Sequence, residues 1–413
     1  MLLEILLFSI FGVSVGAITG LIPGMHINTL IPLIMGMTFL FASPYYLIVF
    51  IVSLTVTWIF ISYIPSIFFG APQEDTSLAV LPGHRLLLEG RGYEAIKLTI
   101  IGGLGSLVIT LILLSVFSST FSNFYDMLRP YIQYLIAIVV LFMIASEKRL
   151  RKILSAAFII LLSGFFGIIT LSSNLVPSEN IFFPVLTGMF GLSTIIISMK
   201  GKSKIPTQKE DSNLHISKVN LLKSILLGSV AGTLVGFLPS IGVSQAATIV
   251  SYLGRIGETR SFLVSLSGIR ISHEIVSLLS LYFIQTPRSG ASIAIQKVLP
   301  ELTFYDVLLM IGVVCFTSGI AVLITMFLGK RIPKLLAKLN YKYLSLSVII
   351  FMLIMVFLMT GFYGLLIVFT STSIGLLCAN LGIKRSHCMG VLLIPSILFF
   401  SGLNGYVLSI LGI

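Results

Sequence analysis

Apolar runs of roughly bilayer length follow one another along almost the whole chain, separated only by short polar and basic connections. A helix needs about 20 mostly apolar residues to cross the hydrocarbon core. Lipid offers backbone groups no partners, so each run is predicted to be a helix that closes its own hydrogen bonds. Single crossings are expected over Pro44–Phe69, Glu94–Thr120, Pro130–Ser146, Ile153–Leu171 and Asn180–Met199 in the first half. Arg260–Ile284, Thr303–Leu328, Tyr343–Thr360, Gly361–Ala379 and Cys388–Leu411 are expected in the second. Composition agrees. Hydrophobic residues make up 57% of the 413 positions and charged ones 10%, against about 25% charged in soluble domains. The first run carries Glu4 and no basic leader, which predicts an uncleaved membrane helix.

The net charge of +12 sits in loops and builds no hydrophilic face, so nucleic acid is excluded as a partner. The most hydrophilic stretch, Lys200–Asn220, supplies a linker over 200–219. No soluble domain is expected, so an ATP-driven pump would need a separate motor subunit. Cys315, Cys378 and Cys388 lie in or beside apolar runs with no CxxC spacing, and are predicted to be small buried hydrophobes. No cofactor or metal is called for.

Ahead of each set of five crossings lies a longer unit interrupted near its middle. Leu2–Phe41 breaks at Pro23-Gly24, and Leu221–Gly254 breaks at Pro239-Ser240. Both are predicted to be helix–break–helix hairpins. Basic clusters at Lys148–Lys152, Lys200–Lys218, Lys330–Lys342 and Lys384-Arg385 all fall on one side when the crossings are counted this way. The positive-inside rule makes that side cytoplasmic and both termini extracytoplasmic. One hairpin plus five crossings is odd, so residues 1–199 and 220–413 would enter the membrane from opposite faces. The expected fold is an all-α polytopic membrane protein of two inverted repeats.

The repeat is also written in residues. Gly12, Gly16, Gly20 and Pro23 recur as Gly228, Gly232, Gly236 and Pro239, at an offset of 216 (228 − 12). Pro72 and Ser77-Leu78-Ala79 recur as Pro287 and Ser292-Ile293-Ala294, at 215 (287 − 72). Spaced glycines alone are what any packing seam in a membrane needs; a proline at the same phase is not.

A helix stopped within the bilayer leaves backbone groups that must face protein, water or a ligand, and half-helix N-termini attract anions. Polar residues flank both breaks: Pro23, Gly24, His26, Asn28 and Thr29 at the first, Pro239, Ser240, Gly242, Ser244 and Gln245 at the second. These are candidate substrate-binding residues; kinked helices without a ligand are the alternative. Within Arg260–Ile284, Arg270, His273 and Glu274 share one helix face. Charge in a membrane costs at least about 2.5–3.5 kcal/mol and marks function by default. Either Arg270 and Glu274 neutralise each other, or Arg270 holds a substrate carboxylate or phosphate while His273 and Glu274 carry a coupling proton. The loops holding Pro72, Gln73 and Thr76, and Arg288 and Ser289, are further candidates, with a solvated loop as the alternative. His387 reads as interfacial. The stretch His273–Ser277 lacks the second histidine of a zinc-protease helix, and an intramembrane enzyme is disfavoured.

Around these residues the chain resembles the large membrane subunit of tripartite tricarboxylate transporters, the TctA-like permeases. The likeness rests on the glycine-rich segment Gly16–Asn28 ending in Pro-Gly-Met-His-Ile-Asn and on the small-polar loop Gly70-Ala-Pro-Gln-Glu-Asp-Thr-Ser. Pro82-Gly83-His84-Arg85, Glu89-Gly90-Arg91-Gly92 and Gly102-Gly103 continue it, with a weaker second copy at Gly232–Gly242. Pro82 and Arg85 depart from the family's usual aspartate and proline. The resemblance implies a secondary permease for a di- or tricarboxylate coupled to H⁺ or Na⁺. It also implies a small membrane subunit and an extracytoplasmic solute-binding protein as partners. Besides lipid, a small anionic solute is the expected ligand. The alternative is a lipid-linked polyprenyl phosphate moved by a translocase, and a homodimer is left open.

Overall fold

The apolar runs fold as helices, and among the described residues there is no strand. The computed structural model describes residues 2–22, 27, 30, 34–35, 38, 41–71, 74–117, 127, 129–173, 175–177, 180–200, 206–209, 214–237, 242–254, 258–336 and 341–411. In the first half the helices are α1 (Leu2–Leu21), α2 (Pro44–Ile61), α3 (Tyr63–Phe68), α4 (Val80–Leu88), α5 (Gly92–Phe117), α6 (Ile132–Ala145), α7 (Leu150–Ser172), α8 (Phe182–Leu186) and α9 (Ser193–Lys200). The second half holds α10 (Lys218–Phe237), α11 (Val243–Leu253), α12 (Thr259–Phe283), α13 (Gly290–Val298), α14 (Phe304–Leu336), α15 (Tyr341–Asn380), α16 (Gly390–Phe400) and α17 (Asn404–Leu411). Among the described residues eight helices are long and apolar enough to span a bilayer. The chain is a multi-pass membrane protein.

Two of these helices form the centre. The apolar stretch of α2–α3 is 100% buried and that of α12 89%, while the other spans bury less than half of theirs. α1 lies along α2 and α10 along α12, because glycines let the backbones touch. A Cβ added at Gly12 would stand 2.5 Å from the Phe50 carbonyl, and one at Gly228 would stand 2.7 Å from that of Ser265. At Gly16 and Gly232 it would meet the carbonyls of Leu54 and Ile269, and at Gly20 and Gly236 the side chains of Ile61 and Val276. The three contacted positions are each 215 residues apart (265 − 50, 269 − 54, 276 − 61).

The second layer crosses between the halves. α5 of the first half packs on α12, and α14 of the second packs on α2. The α5–α12 seam is tied by hydroxyls, with Ser267 Oγ donating to the Thr99 carbonyl at 2.6 Å and Thr110 Oγ1 to Ser272 Oγ at 2.6 Å. Farther out, α7 packs on α16, and α15 on α8 and α9.

Several expectations are corrected. Cys315 is exposed on α14 while Cys378 and Cys388 are buried; the lipid-facing side of a span is as apolar as its inner side, so an apolar neighbourhood does not report burial. Cys388–Leu411 is not one straight span: Arg385–Phe400 and Asn404–Leu411 are bent by 115°. α14 continues through Pro333 to Leu336 and takes Lys330, Arg331 and Lys334 into its last turns. The division expected between Thr360 and Gly361 is present: along Tyr341–Asn380 the helical geometry breaks at Gly361, with φ 64° and ψ −158°, a conformation that a β-carbon disfavours. The chain folds back there, since a Cβ on Gly364 would stand 3.3 Å from Val356 Cγ1, whereas eight residues of straight helix span about 12 Å.

Candidate functional site

Arg270 lies where the two central helices meet. It projects from α12 with 1% of its surface exposed. Its guanidinium stands 4.5 Å from the ring centre of Trp58 and 5.4 Å from that of Tyr63. Nη1 donates to the Ile59 carbonyl at 2.9 Å and to Ser62 Oγ. The cradle exists because α2 is interrupted at Ser62: Pro65 has no N–H to offer the Ile61 carbonyl and its ring crowds that carbonyl. A buried cation costs several kcal/mol unless it is compensated, and the aromatic faces and the carbonyl supply part of that compensation.

The countercharge comes from the first half. Asp75 Oδ2 is 3.4 Å from Arg270 Nε. Asp75 sits in the 3₁₀ segment Glu74–Ala79, between α3 and α4. Beside it, Thr76 Oγ1 meets Ser66 Oγ at 2.5 Å, and Ser77 Oγ meets Ser244 Oγ of α11 at 3.2 Å. Gln245 caps α11 by accepting from the Gly242 N–H, and its Nε2 donates to Ser396 Oγ of α16 at 3.2 Å. One polar path thus runs from Arg270 through the 3₁₀ segment to the start of α11. Its fully buried hydroxyls meet protein partners.

Glu274 lies one turn beyond Arg270 but reaches another element. Ser289, which caps α13, donates to Glu274 Oε1 at 3.1 Å. The Arg288 backbone N–H and the Ser289 N–H both donate to Ser292 Oγ at 2.8 Å. His273 is half-buried next to α10, its carbonyl 3.0 Å from where a Cβ on Gly236 would be. A shallow apolar crevice lined by Leu111, Ile275, Leu278, Leu279, Met310, Ile311 and Val314 carries no polar side chain and offers an anion nothing.

Two carboxylates bind the halves outside this path. Glu94 receives Arg260 Nε at 2.8 Å, Arg91 Nη1 at 3.2 Å and the His215 backbone N–H at 2.9 Å. Glu147 receives His387 Nε2 at 3.1 Å and the Lys384 N–H at 3.2 Å. His387, read from its basic neighbours as interfacial, is wholly buried within the protein.

Residues 6–390 of the 413 match the tripartite tricarboxylate transporter TctA family. The chain belongs to that family. It is a family of transporters, not of enzymes. An uncharacterised protein of Methanocaldococcus jannaschii is 34% identical over 407 residues, covering 96% of this chain and 98% of its own. No solved structure matches.

On this TctA-family chain, the sequence-derived candidates Thr76, Gly242, Ser244, Gln245 and Arg270 fall on the one polar path, while Glu274, Arg288 and Ser289 gather at the cap of α13. Pro23, Gly24, His26, Asn28, Thr29, Pro72, Gln73, Pro239 and Ser240 lie outside the described residues. Trp58, Tyr63, Ser62 and Asp75 were not among the candidates. In an apolar run the aromatics read as core, although Ser62 and Ser66, one turn apart, were a visible signal.

Proposed function

We propose that this TctA-family chain is a secondary permease of the cell membrane that binds a di- or tricarboxylate at Arg270 and couples its movement to H⁺ or Na⁺. The observation that carries the reading is a fully buried guanidinium, held by first-half helices and projecting from a second-half one. A site between two moving halves is the usual construction of a secondary transporter. The matched glycine contacts support the reading of the halves as duplicated units. Their opposite insertion, with both termini extracytoplasmic, is part of the proposal, as are the interrupted hairpins at Pro23 and Pro239. A small membrane subunit and an extracytoplasmic solute-binding protein are the proposed partners, by membership of a tripartite family. His273 and Glu274 are the proposed carriers of the coupling proton.

Uptake of radiolabelled citrate, succinate and a polyprenyl phosphate into proteoliposomes, in parallel, tests the substrate class. Carboxylate uptake is expected, and polyprenyl phosphate movement alone would replace this reading with lipid translocation. Arg270→Ala is expected to lower carboxylate uptake about ten- to a hundredfold, the worth of one charge-assisted hydrogen bond. In the same vesicles Glu274→Gln should keep carboxylate exchange and lose uptake driven by a proton gradient.

A further inference from the structure

Arg270 already faces a carboxylate, and that carboxylate belongs to the protein. Only Nη1 of the guanidinium is committed to fixed acceptors, the Ile59 carbonyl and Ser62 Oγ. Nε and Nη2 are buried and make no hydrogen bond among the described residues. These two nitrogens form the edge that grips a carboxylate through two parallel N–H···O bonds. Asp75 Oδ2 stands at that edge, 3.4 Å from Nε, close enough for an ion pair but not aligned for a hydrogen bond. The Tyr63 ring, fully buried, lies beside the same guanidinium.

The partners of Arg270 also differ in how they are held. Trp58, Ile59, Ser62 and Tyr63 are fully buried in α2 and α3. Asp75 rides on the six-residue 3₁₀ segment, with its side chain 21% exposed. One side of the ion pair is deeply buried. The other is at the rim, on a segment joined to the second half through the Ser77–Ser244 hydroxyl contact.

We propose that Asp75 is a resident stand-in for the substrate. It neutralises Arg270 between transport events, and an incoming carboxylate displaces it from the Nε–Nη2 edge. This rests on the reading of Arg270 as the anion site and adds its regulation. Loading the site and releasing the Glu74–Ala79 segment from Arg270 and Ser244 become a single event. The competitor is tethered, so apparent affinity falls by the fraction of time that Asp75 occupies the edge. The geometry selects a planar carboxylate that can take both N–H groups at once.

Trp58 is the chain's sole tryptophan and lies under the guanidinium, so intrinsic fluorescence reports the site without a label. Titration of the purified full-length chain with citrate and succinate is expected to give a saturable change. Asp75→Asn is expected to move its midpoint about tenfold lower, as for a competitor in place about nine-tenths of the time. Removing a negative charge strengthens anion binding in any case, so a second readout is needed. Ser77 is 1% exposed, and Ser77→Cys, in a Cys315→Ser background, should react with a maleimide at least fivefold faster when citrate or succinate is present. This readout keeps Asp75 in place and stands even where Asp75→Asn does not fold. If Trp58 fails to respond in both the wild type and Asp75→Asn, Arg270 is not the carboxylate site and the proposed function falls with it. A Trp58 response with unchanged Ser77→Cys reactivity, or with no tightening in a folded Asp75→Asn, keeps the site and overturns the displacement.

Discussion

Glu147 and His387 are 240 residues apart in the chain and 3.1 Å apart in the fold, with His387 fully buried and Glu147 nearly so. Burial works to raise the Glu147 pKa, but the hydrogen bonds from His387 and from the Lys384 N–H outweigh it and leave the carboxyl below its usual 4.5. A carboxylate whose pKa is depressed by folding contributes stability that is present above its unfolded value and lost as pH falls through the folded one. Glu147→Gln is therefore expected to lower stability by about 1–3 kcal/mol at neutral pH, as for any buried hydrogen-bonded group that loses its partner. The gap between wild type and variant should close below about pH 4.5 as the wild-type carboxyl takes up its proton. Thermal unfolding in detergent across pH 3–7 measures this, and a gap that persists undiminished at pH 3 would show that the charge is not what holds the pair.

At the scale of elements, the glycine seams make a paired prediction. Gly16 and Gly232 both lie against a carbonyl oxygen of the neighbouring helix, and backbone cannot swing aside as a flexible side chain can. Gly16→Ala and Gly232→Ala are each expected to destabilise the protein by about 1–3 kcal/mol through overpacking, and by similar amounts because the two contacts are alike. Gly312 and Gly319 on α14 have nothing within 4 Å of an added Cβ. Alanine at either is expected to be neutral or to stabilise by up to about 1 kcal/mol, since it removes glycine's entropic cost in a helix. Unfolding of the four variants side by side is the measurement. An unequal pair at the seams would count against the duplication.

For the whole molecule, two described residues of the linker, Gln208 and His215, are held to the body. Gln208 Nε2 donates to the Leu87 carbonyl at 3.1 Å and its Oε1 accepts from the Gly92 N–H at 3.0 Å. His215 joins Arg260 and Arg91 on Glu94. Gln208 and His215 therefore lie on the same side as the α4–α5 turn, and the proposed orientation makes that side cytoplasmic. Lys204→Cys, in a Cys315→Ser background, is expected to react with a membrane-impermeant maleimide only from the cytoplasmic face of oriented vesicles. Labelling from the opposite face would invert the topology.

The helical membrane class was legible without coordinates, because in lipid the length of an apolar run and the need to satisfy its backbone leave few alternatives. The glycine seams were legible too, since backbones that touch require small residues at the contact. So was Arg270, because a charge amid apolar neighbours stands out in any reading. What the chain alone did not disclose was which neighbour answers that charge. Glu274 was nearest along the helix, yet Asp75, 195 residues earlier (270 − 75), supplies the carboxylate, and Trp58 and Tyr63 supply the faces on which the guanidinium lies. Cys315 was misplaced for a related reason. Which side of a helix meets lipid, and which polar groups meet each other, depend on how distant segments pack, and local composition is nearly the same on both sides of a membrane span.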